Sequence, residues 1–196
     1  MKFFCIFTLA VLIITMLCGF IPSRSDMELY DNVVRLHVIA NSDNEHDQKT
    51  KLLVRDAVLK EMDTLASSAQ SAEEAASMIS SRIGEISEAV NATLSSLGEK
   101  CGARVTLSRE SYPTKDYGDI ALPSGEYLSL KIIIGDGNGQ NWWCMLYPAV
   151  CLSPSRASDV LKQTGFTPNQ IKILTEDEKP VYKIKFKLLE LMSAFS

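Results

Sequence analysis

The chain is 196 residues long, and its composition and charge exclude several classes of protein. Hydrophobic residues make up 46% of it, with 10 Gly and 7 Pro, which excludes collagen-like, mucin-like and disordered chains. Lys2 and Arg24 are the only two charged residues among the first 25, so 18 basic and 24 acidic residues follow them. That acidic remainder argues against a nucleic-acid binder, which normally carries a basic patch.

An uncharged apolar segment occupies the amino terminus. It runs from Phe3 to Ile21, behind the positive end formed by the amino group and Lys2. This pattern predicts an export signal, with a length between that of a signal peptide and that of a membrane-spanning helix. We expect residues 1–25 to be a signal peptide or membrane anchor, with cleavage left open, and residues 26–196 to be one extracytoplasmic domain. The leader alone would contact the membrane.

The first elements of the folded part are a strand and a helix. Apolar and polar residues alternate across residues 32–40, which predicts a strand buried mainly on one face. Ser42 and Glu45 have the spacing of a capping box. They predict the start of a helix of about 20 residues that ends near Leu65.

A second capping box, formed by Ser71 and Glu74, predicts a longer helix that Gly98 ends. Its apolar residues recur at steps of three and four, which favours a face packed on a sheet over a coiled coil.

From Ala103 onward the hydrophobic period changes to two. The pattern predicts three strands at residues 104–109, 126–134 and 141–147, a hairpin turn at 135–140, a short helix at 155–165 and a final strand at 182–188. These elements predict an α+β fold in a single two-layer domain, with a mixed sheet of about five strands packed against two long helices behind the apolar leader.

The cysteines are compatible with export. Two of the five lie in the leader, leaving Cys101, Cys144 and Cys151. Three thiols outside the cytoplasm suggest one disulfide and one spare cysteine, and Cys144 and Cys151 flank a proline at which the chain can turn back. The alternative is three small buried apolar residues. Zinc is disfavoured because the spacing has no nearby histidine.

Enzyme motifs are missing from the sequence. It contains no nucleophile elbow, no H-E-x-x-H, no phosphate-binding loop and no dinucleotide fingerprint. One candidate catalytic or metal cluster exists, consisting of His37, Asp43, His46 and Asp47, but helix capping and sheet packing explain these residues as well. We therefore predict no catalytic residue, metal or cofactor. The alternative is a secreted hydrolase or metal-dependent enzyme using His37 and Asp43.

Bulky polar-aromatic residues are concentrated between Tyr112 and Cys151. They include Tyr117 and the adjacent pair Trp142 and Trp143. Neighbouring residues on a strand point to opposite faces, so a loop, helix or partner must cover one of the tryptophans. Such residues anchor protein interfaces, and ordinary packing is the competing explanation for each of them.

Two blocks of sequence carry a resemblance to a known family. The first is RLHVIANSD at residues 35–43, with the helix segment 47–58 behind it, and the second extends from Tyr112-Pro113 through the segment GQNWWCMLYP at 139–148 to Cys151. Together they resemble the stage II sporulation protein R family of endospore-forming bacteria.

The resemblance implies a signalling protein rather than an enzyme. Members are exported from the forespore into the space between the two septal membranes. There they trigger a receptor-like, membrane-embedded aspartic protease, which then cleaves the precursor of the mother-cell sigma factor. A passive envelope protein is the alternative. The candidate contact residues are Arg35, His37, Asn41, Asp43, Tyr112, Tyr117, Trp142 and Trp143.

Overall fold

The chain divides into two units, Met1–Met27 with Glu178–Ser196 and, separately, Glu28–Asp177. In the first unit the described part is helix α1 (Lys2–Cys18), whose Phe3 and Phe4 are exposed. None of the helices in the described ranges combines the length and the apolarity that a membrane crossing requires. The computed structural model describes residues 2–18, 29–116, 120–150, 157–164, 166–167, 170–171 and 174.

The second unit has an α+β fold built on a mixed sheet, as predicted. Its elements are β1 (Val34–Ile39), α2 (Glu45–Ser68), α3 (Ala72–Ser81), α4 (Ile83–Ser96), β2 (Ala103–Tyr112), β3 (Lys115–Asp116), β4 (Ala121–Leu122), β5 (Gly125–Ile134), β6 (Asn141–Tyr147) and α5 (Ala157–Gln163). Four strands form one sheet in the order β2-β5-β1-β6, and β3 pairs with β4 separately. Strand β1 lies between β5 and β6, parallel to β5 and antiparallel to β6. The predicted hairpin turn at 135–140 is therefore wrong: β5 and β6 are not neighbours, and their connection crosses the end of β1, where the N–H of Gly139 donates to the carbonyl of Ala40. The predicted strand at 182–188 lies outside the described residues.

Helix α2 begins with a different cap from the one predicted. Asn44 accepts a hydrogen bond from the backbone N–H of Asp47 at 2.7 Å, so Asn44 is the N-cap. Ser42 instead donates its hydroxyl to the Asp47 carboxylate at 2.6 Å. The predicted capping box of Ser42 and Glu45 is therefore wrong, because the acceptor that satisfies the first helical turn lies two residues further along. The helix itself is confirmed and ends at Ser68.

The second predicted helix is two helices. Ser71 caps α3 as expected, accepting from the N–H of Glu74 at 3.1 Å. The helix breaks at Arg82, where ψ is 12°, and α4 then continues to a glycine cap at Gly98 with φ +77°. Gly84, directly after the break, has a low helix propensity. Periodicity does not reveal this break because buried residues on both sides face the same core.

The sheet has two buried faces with different contents. Val34, Leu36 and Val38 of β1 point to the helix-covered face, where α2, α3 and α4 pack on the sheet. Arg35 and His37 alternate with them and point to the second face. A separate apolar cluster covers part of the second face, with members that include Leu29, Ile120, Leu122, Leu161 and Phe166.

Candidate functional site

Four of the predicted site residues converge on the second face of the sheet. Arg35 is fully buried, and its guanidinium carbon lies 3.8 Å from the ring centroid of Tyr112 and 5.1 Å from that of Tyr127. The ring of Trp143 lies 5.9 Å from that of Tyr112 and 5.7 Å from that of His37. Strand β1 contributes two of these groups, Arg35 and His37, and β2, β5 and β6 contribute one ring each. We call this group, with the polar residues described next, the second-face cluster.

His37 is held at both ring nitrogens. Its Nδ1 lies 3.2 Å from Oε2 of Glu110, and its Nε2 lies 2.8 Å from Oδ1 of Asn141. An ionised carboxylate only accepts hydrogen bonds, so Nδ1 of His37 is the donor to Glu110. The imidazole is therefore fixed in position between β2 and β6.

Glu110 connects three strands. It accepts from the Lys131 ammonium at Oε1 and lies 3.3 Å from the Tyr112 hydroxyl at Oε2. Burial by itself would raise the pKa of Glu110, but the hydrogen bonds from Lys131 and His37 outweigh it and hold the pKa below its usual range. Burial raises the pKa of Tyr112, whose hydroxyl also hydrogen-bonds Ser129. Glu110 is thus the ionised centre of the cluster.

Four polar residues of the second-face cluster were not predicted from the sequence: Glu110, Ser129, Lys131 and Asn141. The available signal was the strand alternation, because Glu110 is two residues before Tyr112 and therefore shares its face. The pairing of Ser129 with Arg35 and of Lys131 with His37 depends on the strand register. Register between strands so distant in the chain is not readable from one sequence.

The adjacent tryptophans point to opposite faces, as strand geometry requires. Trp142 pairs with Val38 and packs on the core of the helix-covered face, where the Arg55 guanidinium lies 5.0 Å from its ring centroid. Trp143 is half-buried on the second face, with the Lys115 ammonium 6.0 Å from its ring centroid. Trp142 is therefore separated from the second-face cluster.

Asn41 and Asp43 lie in the loop between β1 and α2, away from that cluster. Asn41 donates to the Asp47 carboxylate at 2.9 Å and accepts from the N–H of Asp136 at 3.0 Å. Asp43 accepts from the N–H of Gln140 at 2.7 Å. Both side chains therefore link this loop to the connection between β5 and β6, which gives them a structural role in the fold.

The pair proposed for a hydrolase, His37 and Asp43, is not brought together by the described contacts. The nitrogens of His37 face Glu110 and Asn141, and a carboxylate oxygen of Asp43 accepts from the backbone N–H of Gln140. Neither residue activates the other as a nucleophile–base pair would require.

The other two members of the candidate catalytic or metal cluster, His46 and Asp47, lie beside Glu99. The ligand atoms of His46, Asp47 and Glu99 lie within 4.8 Å of one another. Oε1 of Glu99 accepts from His46 at 2.7 Å and from Thr50 at 2.8 Å. The hydrogen bond from Ser42 is the main cause that lowers the pKa of Asp47. These hydrogen bonds account for the group, and a helix amino terminus does not favour a cation.

The cysteines divide into bonded and free. Cys144 is disulfide-bonded, and Cys101 is free and half-buried. The alternative of three unbonded cysteines is therefore wrong for Cys144. The sulfur bonded to it belongs to a side chain outside the described ones, so its pairing with Cys151 stays a prediction. Tyr117, like Cys151, lies outside the described residues.

Comparison with known proteins identifies one family. The family model described as Stage II sporulation protein R matches residues 30–157. Stage II sporulation protein R of Bacillus subtilis (strain 168) is 38% identical over 133 residues, which are 68% of this chain and 59% of that protein. The chain thus spans little more than half the length of this curated relative. No solved structure matches the chain.

Proposed function

The chain belongs to the stage II sporulation protein R family, and on that basis we propose that it is an exported signalling protein of sporulation. In this proposal it leaves the forespore, enters the space between the septal membranes and activates a receptor-like, membrane-embedded aspartic protease. The protease then processes the precursor of the mother-cell sigma factor. The apolar leader, as a signal peptide or an anchor, provides the route of export.

Activation requires differential binding. A ligand shifts a receptor to its active state only by binding that state more tightly than the inactive one. Such a ligand needs a surface of fixed shape, since ordering a mobile surface would weaken the complex. It does not need catalytic groups of its own.

The second-face cluster is the observation that supports this function. Trp143 is half-buried and packs on the rings of His37 and Tyr112, which hydrogen bonds hold in place. A rigid, partly exposed tryptophan is a frequent anchor of protein interfaces. We assign the receptor contact to Trp143 with the exposed Asn141 beside it. Arg35 is fully buried and supports this surface from beneath.

The two tryptophans provide a matched test. Trp143→Leu and Trp142→Leu are produced in a non-sporulating host together with the protease and its precursor, and processing is compared at equal amounts of exported protein. Because it lacks the interface anchor, Trp143→Leu should need at least about tenfold more exported protein than the unaltered chain for half-maximal processing. Trp142→Leu should need the same amount of protein as the unaltered chain for half-maximal processing. Its thermal unfolding midpoint should be lower instead.

Two results would count against the proposal. Equal processing by both variants would show that Trp143 is not the residue that anchors the receptor contact. Processing that needs no added signalling protein, or that persists when residues 1–25 are deleted and the chain is confined to the cytosol, would overturn the signalling function. A passive envelope protein predicts no processing in this host even with the unaltered chain.

A further inference from the structure

The Glu110 carboxylate is shared by groups from three strands. Lys131 of β5 donates to one oxygen, and His37 of β1 and Tyr112 of β2 face the other at 3.2 and 3.3 Å. The side chain of Glu110 is only 15% exposed. A carboxylate with this many partners at low exposure has little freedom to move.

The carboxylate fixes the imidazole of His37. Because the carboxylate accepts only, it places a proton on Nδ1 of His37, while Asn141 occupies the Nε2 end. Hydrogen bonds at both ends define the plane of the ring. Carboxylates orient metal-bound histidines in proteins by the same contact.

Trp143 packs on two rings, and both of them contact Glu110. The rings of His37 and Tyr112 lie 5.7 and 5.9 Å from the indole, and the Tyr112 hydroxyl and His37 Nδ1 face the same carboxylate oxygen. The position of Trp143 is therefore linked to a carboxylate that it does not itself contact in the described geometry.

We propose that Glu110 is a positioning residue of the receptor-contact surface, acting through His37 and Tyr112 to hold Trp143 in the orientation that the receptor binds. This inference rests on the proposed function and names the residue that keeps its contact surface in shape. Glu110 need not touch the receptor.

Glu110→Gln tests this positioning role with little change in the size of the side chain. A glutamine has the same shape, but one end of its amide is an NH2 donor. If that end faces His37, two donors meet unless Nδ1 gives up its proton. If it faces Lys131, two donors meet. In either case the substitution disturbs the arrangement that positions the rings without leaving a cavity.

The experiment uses the full chain and a matched control. Glu110→Gln and Glu126→Gln are compared with the unaltered protein in the co-production assay, and the ring nitrogens of His37 are followed by 15N NMR on labelled protein. Glu126 is an exposed carboxylate on the neighbouring strand β5. We expect Glu110→Gln to change the His37 nitrogen signals and to need about fivefold more protein for half-maximal processing. Glu126→Gln should match the unaltered protein in both measurements.

Each outcome decides the proposal. Changed His37 signals with unaltered processing would overturn it, and so would reduced processing with unchanged signals, because Glu110 would then act directly. If Glu110→Gln is unfolded by circular dichroism, His37→Gln replaces it and should show a similar loss; processing at the unaltered level in His37→Gln would overturn the proposal. Failure of the unaltered chain to activate would instead refute the signalling function.

Discussion

The two faces of the sheet are buried by different means, although the same six residues of β1 contribute to both. On the helix-covered face, Val34, Leu36 and Val38 belong to an apolar cluster with residues of the helices and the other strands. On the second face, Arg35 and His37 are surrounded by rings and hydrogen-bonding groups.

Apolar burial has little directional preference, and it contributes roughly 1.5–3 kcal/mol per large side chain. Hydrogen bonds impose distances and angles. The first face therefore supplies most of the stability, and the second supplies a defined geometry.

Truncation of a core residue on the helix-covered face should have the largest effect on stability. Leu36→Ala removes a fully buried side chain from the central strand. We expect it to lower the free energy of unfolding by about 3 kcal/mol, since the lost burial and the remaining cavity act together. Urea unfolding followed by circular dichroism measures this.

Leu52→Ala is the matched control for that substitution. Leu52 lies on α2 with 38% of its surface exposed, so the same chemical change should cost less than about 1 kcal/mol. If the two variants unfold at the same urea concentration, stability is not concentrated in the helix-covered face.

A smaller effect on stability is expected at the connection between β5 and β6, which crosses the end of β1. A Cβ at Gly139 would lie 2.3 Å from the carbonyl oxygen of Ser42, which is backbone and cannot move aside. Gly139→Ala should therefore cost about 2 kcal/mol. Asn141, two residues later, holds Nε2 of His37, so the His37 NMR signals should change as well. A substitution in this connection is thus expected to disturb the second face.

Gly84→Ala is the control for backbone space. Nothing lies within 4 Å of a Cβ at this helical position, so alanine should stabilise the protein by about 0.5–1 kcal/mol. Destabilisation of both variants to the same extent would show that the close approach of the Ser42 carbonyl is not the cause at Gly139.

Acid should weaken the second face with the smallest effect of the three. The pKa of Glu110 is lower in the folded chain than its usual value of 4.5, so its contribution is complete above pH 4.5 and is lost as the pH falls through the folded-state pKa. The free energy of unfolding of the unaltered protein should fall between about pH 5 and pH 3, and that of Glu110→Gln should fall less steeply. The difference between the two slopes should correspond to less than one bound proton. Glu126→Gln should leave that decline as it is. Identical slopes for both variants and the unaltered protein would contradict the assignment.

Elements with strong local signals were predictable from the sequence. The alternation in β1 and the caps at Ser71 and Gly98 each depend on a few neighbouring residues. Burial of β1 mainly on one face was a wrong prediction, since both faces are buried. The hairpin turn was wrong as well, because local turn residues do not show that β1 lies between β5 and β6. The fold class follows from the order of such elements. The break at Arg82 was missed because the apolar period continues across it.

The site was predictable only in part, and the reason lies in strand pairing. Arg35, His37, Tyr112 and Trp143 were recognised by residue type and resemblance, and the structure brings them together. Asn41, Asp43 and Trp142 were grouped with them by the same argument. Hydrogen bonds between loops account for the positions of Asn41 and Asp43, and packing on the core accounts for that of Trp142. Charged strand residues look alike in a sequence, so the importance of Glu110 depends on a register that only the folded sheet defines.

The central position of β1 also determines when the sheet can form. Val34 has its partners at Leu128 and Tyr147, which are both far along the chain. A chain that emerges from the ribosome amino end first must therefore expose β1 until most of the sequence has been made, and distant pairings of this kind slow folding. Under the proposed export through a translocation channel, such a delay would keep β1 from completing the sheet before the chain has crossed the membrane.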